Sequence, residues 1–371
     1  MTRPLYVTRP VLPELSDYQA LLADIWRSKI LTNGGPLHQR LERELEQYLG
    51  VPTAMLFNNG TIALLAALKL LKLPAGSEVI TTPLTFAATA HAIKWNGLEP
   101  VFADVLPGTL TLDPEAVRKA ITPKTSAILG VHVYGTVCEL DALQKVADDH
   151  GLRLLYDAAH VFGTTVNGVP IGCFGDASVF SFHATKLFNT AEGGLVATNR
   201  ALDKESIYFI RNFGIKNEEE VVDVGINGKL SEFSAAMGLL VLPLVDDERA
   251  RRSVLRQKYA EFLTELPGIE LAPAQPGVTQ SEQYFRVSID QGAFGRSRDD
   301  IYAALQKRQI FSRKYFHPIC TDFESYRGYP IYSTRNLPYV ERIKSQVLCL
   351  PFHGEVEDED LAEIRDVFSA R

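Results

Sequence analysis

The stretch Ser181-Phe-His-Ala-Thr-Lys-Leu-Phe-Asn-Thr-Ala-Glu-Gly-Gly194 decides how the rest of this chain is read. An apolar run, Ala177–Phe182, leads into it, and another, Leu195–Thr198, leads out. One lysine, Lys186, sits between them among small, hydroxyl and aromatic residues. Flanking strands hold such a lysine in partly buried surroundings, where the ammonium form is disfavoured and the amine is free to attack a carbonyl. That is the chemical requirement for an internal Schiff base. A lysine snorkelling from the end of a strand fits the local context equally well, so the remainder of the chain has to decide.

Working outward, short apolar runs alternate with helix-period segments. Glu78–Thr82, Pro100–Val105, Ser126–Val133, Arg153–Asp157, Ala177–Phe182 and Leu195–Thr198 read as strands. Leu37–Leu49, Phe86–Asn96, Pro114–Ile121 and Glu139–His150 read as helices, and Phe57-Asn-Asn-Gly-Thr61 opens another in which Ile62, Leu65, Leu68 and Leu71 recur at helical spacing. Val166-Asn-Gly-Val169 is a two-residue hairpin signal. This alternation predicts an α/β fold with a mostly parallel sheet covered on both faces. Residues 1–35 contain several prolines, end in Thr32-Asn-Gly-Gly-Pro36, and read as an arm. The pattern changes near residue 240: Asp246–Leu266 is a long charged helix behind a break at Pro243, Gln283–Ile289 alternates as a strand, and Ser297 with Asp300 forms a capping box. The expected division is therefore 1–244, arm and large domain, and 245–371, a smaller α+β domain.

The composition narrows the function classes. Of 371 residues, 46% are hydrophobic and 22% charged, enough apolar material for a sizeable core. A net charge of −7 with no basic block argues against nucleic acid as a partner. No apolar run approaches the ~20 residues that span a bilayer, so no membrane partner is expected. The four cysteines are far apart and form neither a CxxC nor a metal-ligand cluster, which predicts reduced thiols, a cytoplasmic location and no metal. GxGxxG, P-loop, GxSxG and HExxH signatures are all missing.

Open α/β sheets bind ligands at the carboxyl ends of their strands, so the residues just past each strand carry the chemistry. Asp157 ends one strand, followed by Ala158, Ala159 and His160. A buried carboxylate there could pair with a protonated pyridine nitrogen and keep the ring an electron sink, although a helix N-cap is the commoner role for such an Asp. His160 could stack on or hydrogen-bond to the same ring, or be structural. Asn59-Gly60-Thr61 offers backbone N–H groups and a helix dipole to a phosphate, and Ser181 is a plausible second hydroxyl ligand; many helices begin this way and bind nothing. Phe86 could cover one face of a ring or simply pack.

Taken in order, the phosphate turn, the aromatic, Asp-Ala-Ala-His and Ser-Phe-His-Ala-Thr-Lys…Glu-Gly-Gly resemble the sugar aminotransferases of the DegT/DnrJ/EryC1/StrS group. These are fold-type-I enzymes that use pyridoxal 5′-phosphate (PLP), and the resemblance runs from about Thr32 to Phe352. It implies that Lys186 is the Schiff-base lysine and proton shuttle, Asp157 the partner of the pyridinium nitrogen, His160 a neighbour of the ring oxygen and Phe86 the stacking ring. Gly60, Thr61 and Ser181 would hold the phosphate. Gly225-Ile-Asn-Gly-Lys-Leu230 is similar to the family's GxNxRM segment, which makes Asn227 a phosphate ligand donated across a homodimer interface. Lys229 stands where the family usually has arginine. Lys186 separates the chain from the family's dehydratase branch, which has histidine there.

The resemblance further implies transfer of an amino group from an amino acid, L-glutamate, to a nucleotide-linked keto-6-deoxy sugar. The Asp-Ala-Ala-His form points to C4, as in dTDP-4-keto-6-deoxyglucose, and to deoxy amino sugar and surface polysaccharide biosynthesis. Asn33, His183, Tyr315 and His317 are candidate sugar contacts. Three alternatives stay open: a C3-keto sugar, a non-catalytic regulatory homologue, and an amino-acid transaminase whose carboxylate clamp would be Arg211, Arg286 or Arg313.

Overall fold

The computed structural model of the chain describes residues 4–199, 203–327 and 337–370. Its centre is a seven-stranded sheet: β1 (Thr53–Phe57), β2 (Glu78–Thr81), β3 (Glu99–Phe102), β4 (Thr125–Val131), β5 (Arg153–Asp157), β6 (Ala177–Ser181) and β7 (Gly194–Thr198). The order across the sheet is β1-β7-β6-β5-β4-β2-β3. All neighbouring pairs are parallel except those of β7, which runs antiparallel to both β1 and β6. Almost every strand residue is buried, because side chains of alternate residues enter two different cores. Leu56, Leu154 and Tyr156 join the core beneath helices Pro36–Tyr48, Leu140–His150 and Glu232–Val241. Met55, Phe57 and Leu155 join the core beneath helix Gly60–Leu70.

The strand and helix boundaries follow the sequence reading to within a few residues. Asn167 and Gly168 both take positive φ, 50° and 80°, in the expected hairpin turn between Thr165–Val166 and Val169–Pro170. Two readings need correction. The expected arm holds a 14-residue helix, Leu15–Ser28, whose apolar residues recur at helical spacing although Ile25 alone is buried. Helix Glu232–Val241 went unread: Ala235, Ala236, Gly238 and Leu239 are buried within a continuously apolar segment that shows no amphipathic stripe.

Beyond residue 244 a second sheet forms from β8 (Ile269–Leu271), β9 (Phe285–Ile289) and β10 (Val347–Leu350), all antiparallel. Phe285, Val287 and Ile289 pack with Leu255, Tyr259 and Phe262 of helix Val245–Leu263. The expected capping box is formed, with the Ser297 side chain on Asp300 N–H and the Asp300 carboxylate on Ser297 N–H. Pro243 lies in a 3₁₀ turn, Leu242–Leu244, between the two long helices. We propose the domain boundary there, at 244/245. The N-terminal segment crosses it, since Leu5–Tyr6 pairs in parallel with Ile310–Phe311.

Candidate active site

The carboxyl ends of four strands, β1, β2, β5 and β6, meet at one cavity of about 550 Å³. β1 ends in Phe57, and the chain turns through Asn58 and Asn59 into helix Gly60–Leu70. The Asn59 backbone is extended and its side-chain oxygen accepts the Ile62 N–H at 2.8 Å, which caps the helix and leaves its first N–H groups facing the cavity. Gly60 is required by close approach: a Cβ there would lie 2.9 Å from the Ser181 Cβ and 3.1 Å from its Oγ. Gly194 is required for the same reason, since its Cβ would meet the Asn59 carbonyl oxygen at 2.4 Å. The second glycine of Glu-Gly-Gly thus lets β7 press the phosphate-type turn against Ser181. If the cavity takes the PLP that the resemblance implies, Gly60→Ala is expected to weaken its binding by about tenfold or more through displacement of Ser181. Spectroscopic titration with PLP reads this directly, and an unchanged affinity would contradict the close-approach argument.

Asp157, at the end of β5, is 7% exposed. Its Oδ2 accepts a hydrogen bond from Thr89 Oγ1 at 2.8 Å and its Oδ1 accepts one from Ala159 N–H at 3.2 Å. Thr89 is itself 2.8 Å from the Thr85 hydroxyl. An ionised carboxylate only accepts, so Thr89 donates to it and in turn accepts a hydrogen bond from the Thr85 hydroxyl. Burial pushes the Asp157 carboxyl above its ordinary value, while Thr89, Ala159 and the Lys186 charge pull it back.

Lys186 follows β6 in the turn that the sequence placed there. Burial lowers its amine to about 8, against which Asp157 pulls upward. Its Nζ stands 5.8 Å from the centre of the Tyr284 ring. In the folded chain this lysine loses its proton near pH 8, whereas the unfolded chain keeps it to about 10.5. Across that window the unfolded state binds more protons, so rising pH stabilises the fold. The cofactor-free wild type is therefore expected to gain melting temperature relative to Lys186→Met between pH 8 and 10; parallel melting curves would contradict this.

His160 is buried, and its Nδ1 accepts the Tyr134 backbone N–H at 3.2 Å. Burial, with a contribution from Lys186, holds the imidazole well below its ordinary range. It is neutral, and accepting the Tyr134 N–H assigns its proton to Nε2, while the His132 backbone, also within hydrogen-bond reach of the ring, pulls its value upward. Phe86 occupies the N-cap of helix Ala87–Trp95 and is 61% exposed, an aromatic face turned to open space at the cavity wall. At the mouth, His183 Nδ1 pairs with Thr185 Oγ1 at 2.9 Å, and His183 Nε2 lies 3.6 Å from Glu192.

The cavity thus unites Gly60, Thr61, Phe86, Asp157, His160, Ser181, His183, Lys186 and Tyr315. It does not include Asn33, Asn227 or His317. Asn33 and His317 are exposed in turns, and Asn227 is exposed on the far side of the β1 turn, where its carbonyl takes a 3.5 Å contact from Asn58 Nδ2. None of the three arginines lines it: Arg211 is bound to Glu42 and the Leu56 carbonyl, Arg286 to Ser288 and Gly108, and Arg313 is an exposed neighbour of β10. Sequence reasoning missed Thr89, Tyr134 and Tyr284. Thr89 could have been found, in the first turn of the helix that Phe86 caps and four residues after Thr85; the others arrive from distant segments.

A sheet of this order, with an amine of lowered basicity after β6 and a buried carboxylate at the end of β5, has the architecture that the resemblance to PLP fold type I implies. The DegT/DnrJ/EryC1/StrS aminotransferase family signature matches residues 14–369. The chain is 42% identical over 361 residues to the dTDP-4-amino-4,6-dideoxy-D-glucose transaminase of Escherichia coli, covering 96% of each. Among solved structures it resembles DesI, determined in the presence of its TDP-sugar product, with TM-score 0.93 and 40% identity over 99% of this chain and 92% of that one. It also resembles Helicobacter pylori PseC, an aminotransferase of pseudoaminic acid biosynthesis, with TM-score 0.90 and 28% identity over 99% and 98%. The chain belongs to the DegT/DnrJ/EryC1/StrS aminotransferase family and is a sugar aminotransferase. Its family and structural neighbours are PLP-dependent enzymes.

Proposed function

We propose that the protein binds PLP and moves an amino group from L-glutamate to C4 of dTDP-4-keto-6-deoxyglucose, giving dTDP-4-amino-4,6-dideoxyglucose. The observation that carries this reading is the meeting of Lys186, Asp157 and an open helix N-terminus in one cavity. The sugar rests on the relatives that share about two-fifths of the sequence.

The donor set fits the cofactor. At one end the helix N–H groups of Gly60 and Thr61 and the Ser181 hydroxyl suit a phosphate, packed so tightly that a methyl at Gly60 would fill the cradle. At the other, Asp157 is a buried acceptor already turned toward the cavity. When bound, PLP supplies the electron sink that lets an amino group be exchanged for a carbonyl. Asp157, oriented by Thr89, would keep a ring nitrogen protonated. His160 would be a neighbour of a ring oxygen, and Phe86 would cover a face and exclude water. Lys186 Nζ, lowered by burial to about 8 so that part of it is unprotonated at physiological pH, would take a proton from the substrate carbon and return it.

Incubating the protein with PLP, glutamate and either dTDP-4-keto-6-deoxyglucose or its 3-keto isomer separates the readings. Mass spectrometry is expected to show amination of the 4-keto sugar. Amination of the 3-keto sugar alone would move the site of transfer, and no amination of either would overturn the substrate class.

Asn227 is exposed outside its own cavity, which suits a ligand donated to a second copy in a homodimer. Mixing Lys186→Ala with Asn227→Ala subunits is then expected to restore up to about a quarter of wild-type activity, because half the subunit pairs are mixed and one of their two sites is intact. No recovery would place Asn227 outside the partner's site. Four free cysteines, three of them buried, suit a cytoplasmic location.

A further inference from the structure

The two sides of the cavity come from distant parts of the chain. The cofactor side is built at strand ends, while the opposite wall, Tyr284, Tyr315 and Phe316, comes from beyond residue 244. Tyr134, in the turn after β4, touches both. Its backbone N–H fixes the His160 tautomer. Its hydroxyl donates to the Tyr315 carbonyl at 2.7 Å and accepts the Phe316 N–H at 3.1 Å, so one oxygen satisfies both polar groups of a single peptide unit. The rings repeat the connection: Phe316 stacks with Tyr134 at 5.5 Å and 22°, and with His160 at 5.7 Å and 11°. Tyr134 itself adopts φ 59° and ψ 4°, a left-handed backbone that a tyrosine occupies only under constraint. Its position is specified at three points, and the surrounding structure accepts strain to keep it.

We propose that Tyr134 is a positioning residue that sets the Tyr315–Phe316 wall at a fixed distance from His160, and that this wall is the face against which the keto-sugar ring lies. The inference rests on the proposed sugar transfer. Its chemistry follows from the surfaces: an aromatic wall takes the apolar C–H face of a pyranose, and a deoxygenated C6 offers a methyl group to the same surface. A small amino donor reacting at the Lys186 side has no need of that wall. The hydroxyl therefore acts on one half of the reaction. Without it, two buried peptide groups lose their partner and the wall is free to shift, while the tautomer-setting backbone N–H stays in place.

Tyr134→Phe tests this, with the two half-reactions followed separately by absorbance. The sugar half-reaction, run with dTDP-4-keto-6-deoxyglucose on the amine form of the holoenzyme, is expected to lose about tenfold in kcat/KM, carried by KM. The glutamate half-reaction and the PLP dissociation constant are expected to stay within about twofold of wild type. Equal losses in both halves, or none in either, would overturn the proposal. Tyr134→Asn keeps a residue suited to the left-handed backbone but too short to reach residue 316, and is expected to show the same split. If both variants are recovered only unfolded, Tyr134 belongs to the core and the proposal fails. A wild type that takes up PLP and glutamate but aminates neither keto sugar would instead overturn the proposed sugar transfer, which separates the two failures.

Discussion

Lys186→Ala is expected to abolish the visible-edge absorbance that the wild type acquires with PLP, and to lower turnover at least about ten-thousandfold. Both losses share one cause. The amine is the nucleophile that holds the cofactor and the base that moves the substrate proton, so alanine removes two functions that no neighbour can supply. Tyr284 is near Nζ, but burial raises its phenol well above the ordinary value, so it stays protonated and cannot take the proton. His160 is neutral, but its Nδ1 is committed to the Tyr134 N–H and its remaining nitrogen carries the proton. Added alkylamines would be expected to return part of the rate. A variant that kept more than about a hundredth of wild-type turnover would show that another group performs the proton transfer.

Asp157→Asn is expected to lower turnover by roughly a thousandfold while leaving the absorbance band in place. The substitution is nearly isosteric, so the cavity keeps its shape and Lys186 keeps its amine. What disappears is the negative charge that would hold a ring nitrogen protonated. The amide nitrogen would also face Thr89, whose oxygen already accepts from Thr85, and one donor of that buried chain would be left without an acceptor. The contrast with Lys186→Ala is diagnostic: one variant binds coloured cofactor and turns over slowly, the other binds none covalently. Equal colour and near-equal rate in Asp157→Asn would remove the carboxylate from the mechanism.

How much of this was legible in the residues depends on where each one sits. Asp157-Ala-Ala-His160, Asn59-Gly-Thr61 and Ser181…Lys186 are short stretches fixed to strand ends. In a parallel sheet the carboxyl ends all face one way, so locating the strands also locates these groups. Phe86 was found for the same reason, one residue before a helix that follows β2. Asn33, Asn227 and His317 were named through the resemblance, and this chain's own cavity does not contain them. Helix Leu15–Ser28 was missed because Pro4, Pro10, Pro13 and the Thr32–Gly35 turn around it read as an arm, although Leu15, Tyr18, Leu22 and Ile25 recur at helical spacing.

By itself the sequence determined the alternating α/β order, the strand-end positions of Lys186, Asp157 and the helix-opening turn, and the membership that their order implies. These are local features: a period, a cap, a residue just past a strand, each decided within about ten residues. Only the tertiary structure decided that Thr85 and Thr89 orient Asp157, that Tyr134 joins His160 to Tyr315 and Phe316, and that Gly60 and Gly194 are glycines because Ser181 and the Asn59 carbonyl leave no room for a Cβ. These are contacts between segments up to 182 residues apart. Their energy comes from packing and from satisfying buried polar groups, and no periodicity records them.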